Sequence, residues 1–301
     1  MVYDAHVHFF TKGVFKFYGL QVPEIKERPD PAADVCNRLN LQTPAESVED
    51  LAEKWTLEFD KYSIKKAFLF GSAPNEQENI RLAVKKYPDR FTGFQMFNPG
   101  MPNTEANLTD IVSQSIKGIL LFPAMHQYYP DDPICRTVFE IARKYKTIVF
   151  VHIGFLKIAI RDKLGIQGTI DEKFGDPARL INIVREFSDV NFICPHFGCG
   201  TLTHLLKETA GIKNLYLDTS SSNDWIKRCP EFAGLENVFK TALDSKTFGP
   251  ERILFGSDST VFPRGWRKEI YQTQTEIIES LGLSKNEAEL VMHKNSERIA
   301  G

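Results

Sequence analysis

The chain has 301 residues, a length that suits either two ordinary domains or one large α/β barrel. Its 37 basic and 39 acidic side chains nearly balance, so no basic excess recommends a nucleic acid as partner, and no run of about 18 consecutive apolar residues suggests a membrane span. The first residues enter a strand pattern containing Asp and His instead of a signal peptide, so the expected compartment is the cytoplasm. Cys36, Cys135, Cys194, Cys199 and Cys229 are odd in number and lack CxxC spacing, which argues for reduced, packed thiols.

Short apolar runs rich in β-branched and aromatic residues recur: VYDAHVH (2–8), KKAFLFG (65–71), FTGFQMF (91–97), IKGILLF (116–122), TIVFVHIG (147–154), NFICPHFG (191–198), NLYLDTS (214–220) and RILFGSD (252–258). Each reads as a strand. Helix signals lie between them. Thr43-Pro44-Ala45-Glu46 combines an N-cap, a proline at the first helical position and a capping-box glutamate. Asp132-Pro133 and Asp176-Pro177 repeat the cap and proline, and Ser284 with Glu287 opens a last helix through Arg298. Strands alternating with helices predict parallel pairing through right-handed crossovers, and eight of them predict one (β/α)8 barrel domain over 1–301. An open doubly wound sheet is the alternative. The longest connection, 9–42, holds Phe9, Phe10, Phe15, Phe17 and Tyr18 and reads either as a lid over a planar substrate or as a satellite core or dimer contact.

The histidines are the informative feature. Asp4, His6 and His8 alternate along the first strand, and side chains at that spacing share one face. His152 ends VFVH in the fifth strand, His196 lies near the end of the sixth and Asp258 closes the eighth. In a barrel the C-terminal ends of the strands converge on one mouth. Imidazoles and a carboxylate gathered there suit a divalent ion, Zn²⁺ first, with a coordination position left for a water activated near neutral pH. Any one of these residues alone reads more readily as a packed polar side chain than as a ligand; their joint placement carries the metal reading. Asp4, deeper in the strand, reads either as a group orienting a ligand histidine or as a polar contact of the barrel floor.

The ordered set DAHVH, VFVHIG, CPHFG and ILFGSDST, with NSERIAG at the end, resembles the amidohydrolase superfamily, in particular the amidohydrolase-2 branch that includes aminocarboxymuconate-semialdehyde-type decarboxylases. The resemblance covers essentially the whole chain and implies a distorted barrel with a divalent metal on His6, His8, His152 and Asp258. It implies that His196 stands off the ion as acid, base or polarising group in a mononuclear site, and that dimers are frequent. Binuclear members carry a bridging lysine at the end of the fourth strand, where this chain has Leu120, Leu121 and Phe122; Lys117 is at the other end.

The resulting expectation is a hydrolase of a small amide, ester or lactone, in which Asp258 aligns a metal-activated water and relays its proton while His196 polarises the substrate or shuttles a proton. Non-oxidative decarboxylation of an aromatic or unsaturated carboxylic acid is the alternative on the same ligands, and a non-catalytic metal- or ligand-binding protein is a third class. Mn²⁺, Fe²⁺ and Co²⁺ remain alternatives to Zn²⁺. Candidate substrate contacts are Phe10, His126, Arg161, Trp225, Arg264 and Trp266, with Asn223 beside them. His204 and His293 fall in helical patterns and read as structural.

Overall fold

The computed structural model describes residues 1–168 and 170–301. Eight parallel strands follow one another in order around a single sheet: β1 (Val2–His8), β2 (Ile64–Gly71), β3 (Phe91–Met96), β4 (Ile116–Leu121), β5 (Ile148–Val151), β6 (Phe192–Cys194), β7 (Leu215–Asp218) and β8 (Ile253–Leu254). Backbone hydrogen bonds close the ring between β8 and β1: Ala5 N donates to Phe255 O, Asp258 N to His6 O and His8 N to Ser259 O. Helices between the strands form the outer layer, giving the (β/α)8 barrel. None of the described helices is long and apolar enough to cross a membrane.

The second half of the barrel departs from the strand lengths read in the sequence. Pro195 has no N–H to continue the β6 ladder, and His196 and Phe197 both turn left-handed at φ 54°. Gly256 follows β8 because the backbone there passes close to β1 and β7: a Cβ at this position would lie 2.9 Å from Ser220 Cβ and 3.1 Å from His6 Cβ. His196 and Asp258 are therefore presented by turns beyond the strands, Asp258 itself at φ 59°.

Strand β1 corrects a second expectation. Its register against β2 shifts between Asp4 and Val7, the mark of a bulge. Tyr3 and Ala5 join the barrel-interior cluster with Phe68, Phe94, Phe150 and Leu254, whereas Val7 packs in the outer layer. Asp4 thus does not share a face with the two histidines. Its carboxylate lies in the β1–β8 seam, where Oδ1 accepts from the backbone N–H groups of His6 and Ser257 at 3.0 Å each and Oδ2 accepts from Trp266 Nε1 at 2.7 Å. It touches neither imidazole ring by these bonds; it fixes the two backbones that carry the candidate ligands.

Two caps read in the sequence are present: Asp176 accepts from Ala178 N, and Ser284 and Glu287 form a reciprocal capping box. Two are not. Gln42 N pairs with Phe262 O, and the following residues run on without helix until Ser47 caps the helix Val48–Lys61. Asp132 accepts from Tyr129 N instead of capping, ahead of one 3₁₀ turn and the helix Arg136–Tyr145. The last helix is interrupted by a π turn at Leu290–Lys294, whose Val291 carbonyl accepts from Phe255 N.

Segment 9–42 folds into two helices, α1 (Lys12–Gly19) and α2 (Pro31–Arg38), capped by Thr11 and Asp30. They enclose their own small core of Val14, Phe15, Tyr18, Val35 and Cys36, which extends to Leu164 in the β5 connection.

Burial holds the Asp4 carboxyl up at about 6 despite its hydrogen bonds from Ser257, Trp266 and His6. Removing one donor leaves a buried acceptor undersatisfied, so Trp266→Phe is expected to cost about 2 kcal/mol. Urea unfolding checks this; an unchanged midpoint contradicts it.

Candidate metal centre and its cavity

Three ligand atoms converge at the mouth. His6 Nε2 and His8 Nε2 are 3.3 Å apart, and Asp258 Oδ1 lies 3.2 Å from His8 Nε2 and 3.7 Å from His6 Nε2. Atoms bound at about 2.0–2.2 Å around a tetrahedral ion are separated by roughly 3.4 Å, so this triangle has the size of a zinc-type donor set. The other ring nitrogens support the same reading. His6 Nδ1 is 2.8 Å from Asp218 Oδ2, and His8 Nδ1 is 2.5 Å from Ser72 Oγ, which also lies 3.5 Å from Phe70 O. With protons on Nδ1, both Nε2 lone pairs face each other and a carboxylate oxygen. Only a proton or a cation relieves that arrangement.

The local electrostatics follow. Burial works against a charged His6, but the Asp218 carboxylate outweighs it and holds that imidazole above its ordinary range. Burial dominates at His8 and pulls it down. Asp258 is held below the usual carboxylate range: burial opposes this, and the bond from His8 with the charge of His6 overcomes it.

His196 lies beside this set, its ring 5.1 Å from that of His6 and 5.3 Å from that of His152. His152 follows β5 directly and lines the same cavity, but it stands outside the tight triangle; its buried Nδ1 has no hydrogen-bond partner, and burial lowers its pKa to about 3. A second cluster, His6, His196 and Asp218, is fully buried behind the first. Asp218 and Ser220 were not singled out in the sequence. The available signal was position: Asp218 ends the apolar run LYL at the C-terminal edge of β7, the rule that picked out His152. Ser72, just past β2, carries no such signal.

The mouth opens into a cavity of about 430 Å³. Apolar side chains, among them Phe10, Met96, Phe122, Met125 and Phe150, make much of its wall, with four cations, Lys157, Lys163, Arg264 and Arg267. Tyr18, Leu39 and Leu41 bring the 9–42 segment to its rim.

Of the residues expected to meet substrate, Phe10 and Arg264 line this cavity, and Phe10 packs edge-on against His8 at 5.5 Å. The others do not. Trp266 is buried on Asp4, and Trp225 is buried with Nε1 donating to Asn223 Oδ1 at 2.9 Å. Arg161 donates to Gln167 O outside the cavity, while its neighbours Ile160 and Lys163 face inward. His126 ends a one-turn helix, Pro123–His126, that turns Met125 to the cavity in its place; its ring stacks on Tyr128, and burial lowers its pKa to about 4. Arg267 was missed: its Nη1 is 3.9 Å from Asp258 Oδ2, and its Nε donates to Glu269.

Fold and centre together define a closed α/β barrel with an imidazole–carboxylate site at the C-terminal mouth. A family model described as amidohydrolase matches residues 3–301, and the chain belongs to that family, in its amidohydrolase-2 branch. A search of the curated proteins by sequence finds no match. Among solved structures, the chain is similar to 5-carboxyvanillate decarboxylase from Sphingomonas paucimobilis, with TM-score 0.63, 14% identity and coverage of 99% of this chain and 98% of that one. It is also similar to a probable 2-pyrone-4,6-dicarboxylic acid hydrolase from Acinetobacter baumannii, with TM-score 0.62, 14% identity and coverage of 100% and 99%. A third is the 5-carboxyvanillate decarboxylase of Novosphingobium aromaticivorans, solved with manganese, with TM-score 0.64, 14% identity and coverage of 100% and 96%.

Adding Zn²⁺ or Mn²⁺ to metal-free protein is expected to raise its melting temperature, as a ligand binding only the folded state must. In His8→Ala the rise should largely disappear; a full rise in that variant places the ion elsewhere.

Proposed function

We propose that this protein is a hydrolase of small amides, esters or lactones that depends on one divalent ion, Zn²⁺ in the first instance. The observation that carries the reading is the triangle of His6 Nε2, His8 Nε2 and Asp258 Oδ1. These residues would hold the ion, with His152, whose buried Nδ1 lacks a partner, as the proposed fourth ligand. A single ion is supported by the end of β4, where Leu120 and Leu121 are buried and apolar and Lys117 is at the opposite, exposed end. When bound, such an ion lowers the pKa of a water toward about 7 and polarises a carbonyl.

The chain's own groups supply the rest. Asp258 keeps its second oxygen, Oδ2, free of His6 and His8, so it has a lone pair to take a proton from the attacking water and pass it to the leaving group. His196, facing the cavity 5.1 Å from His6, is placed to move a second proton. The apolar wall limits bulk water, and Arg264, Arg267, Lys157 and Lys163 favour a substrate with a negative charge. Those four cations also favour the second reading, decarboxylation of an aromatic or unsaturated carboxylic acid, because they suit a carboxylate as the reacting group.

Metal analysis is expected to find one equivalent per chain; two would refute the single-ion reading. His196→Ala is expected to keep its metal and lose at least about 10²-fold in kcat, while His6→Ala loses both metal and turnover. Full turnover in the His196 variant removes that residue from the mechanism. In a screen of carboxylated lactones and aromatic acids, ring or ester opening supports hydrolysis, and release of carbon dioxide without it supports the second reading.

A further inference from the structure

Behind the ligands lies a buried hydrogen-bond node whose protons can be counted. Asp218 Oδ1 accepts three donors: His196 N at 2.9 Å, Ser220 N at 3.0 Å and Ser220 Oγ at 2.5 Å. Two oxygens this close need a proton between them, and an ionised carboxylate has none to give, so the single hydroxyl proton of Ser220 points to Asp218. Ser220 Oγ then has only lone pairs left. They face His6 Nδ1 at 2.9 Å and His196 Nδ1 at 2.8 Å. His6 Nδ1 also faces Asp218 Oδ2 at 2.8 Å, and His196 Nδ1 also faces the Ser220 carbonyl at 3.1 Å. Each ring nitrogen therefore meets acceptors alone.

We propose that Asp218 and Ser220 are positioning residues that fix a ring proton on Nδ1 of both His6 and His196. That directs Nε2 of each ring to the site, on His6 as a metal ligand and on His196 as a proton acceptor. This deepens the functional reading above and rests on it for the ligand role of His6. It also selects between the roles open to His196: in the resting site its free ring nitrogen takes a proton from water or substrate, and donation to a substrate oxygen follows only after that step. The same carboxylate braces the left-handed turn that presents His196, because the His196 N–H at φ 54° donates to it.

The test is a two-bond ¹H–¹⁵N spectrum of protein labelled at histidine, recorded zinc-loaded and metal-free, with His196→Gln to assign its signals. His196 is expected as the neutral Nδ1–H tautomer in both states; an Nε2–H tautomer, or averaging between the two, overturns the proposal without any reference to metal or turnover. A protein that binds no zinc but shows Nδ1–H at His196 overturns the functional reading and supports the node. In Asp218→Asn, the three donors keep the amide oxygen in place and turn the amide NH₂ toward His6 Nδ1, forcing the proton of His6 onto Nε2. Zinc affinity by chelator competition is then expected to fall 10–100-fold. Wild-type affinity in this variant overturns the part concerning His6. If the variant does not fold, the wild-type spectrum still decides the tautomer.

Discussion

Two imidazole nitrogens held 3.3 Å apart, with a carboxylate oxygen beside them, are the constraint on which the rest of this structure turns. Such a buried set is satisfied only by a shared proton or by a cation. It persists because the other ring nitrogen of each histidine is occupied. Asp218 and Ser220 hold the back of His6, Ser72 holds the back of His8, and the β1–β8 seam holds the backbones of His6 and Asp258 together through Asp4. The barrel acts as a frame that fixes donor atoms against their mutual repulsion.

The overall architecture was legible because it depends on periodic information. Apolar runs of strand length, separated by capped helical stretches, specify a parallel α/β ring almost without regard to which apolar residue fills each place. The gathering of His6, His8, His152, His196 and Asp258 at one mouth was legible for the same reason: a polar side chain in or ending an apolar run is visible in one dimension. What could not be read was anything depending on a local break in the period. The bulge in β1 sends Asp4 away from the histidines, and the even spacing of DAHVH gives no sign of it. Trp225, Trp266 and Arg161 looked like mouth residues because they lie in loops at the correct end, yet Trp225 and Arg161 find partners within their own loops and Trp266 reaches across the seam to Asp4. Ser72 and Ser220 are ordinary turn residues by sequence, and their importance arises only from contacts across the barrel.

The 9–42 segment builds a core of its own and also contributes to the cavity wall. Phe15 and Tyr18 build a separate small core between two short helices, while Phe10, Leu39 and Leu41 form part of the cavity wall. Because that core reaches Leu164 in the connection after β5, the wall is anchored on two sides of the mouth. The insertion thus adds to an apolar wall that Met96, Phe122, Met125 and Phe150 supply from the barrel itself, while the cations come from the loops after β5 and β8. The frame and the selectivity belong to different parts of the chain.

The seam has a consequence for biosynthesis. His6 and His8 lie on the first strand and their carboxylate partner Asp258 follows the eighth, so in synthesis the imidazoles emerge long before the carboxylate. Until the eighth strand is added, the triangle of donor atoms lacks its third corner. A donor set completed only when the ring closes ties its ability to hold a cation to the folding of the whole barrel.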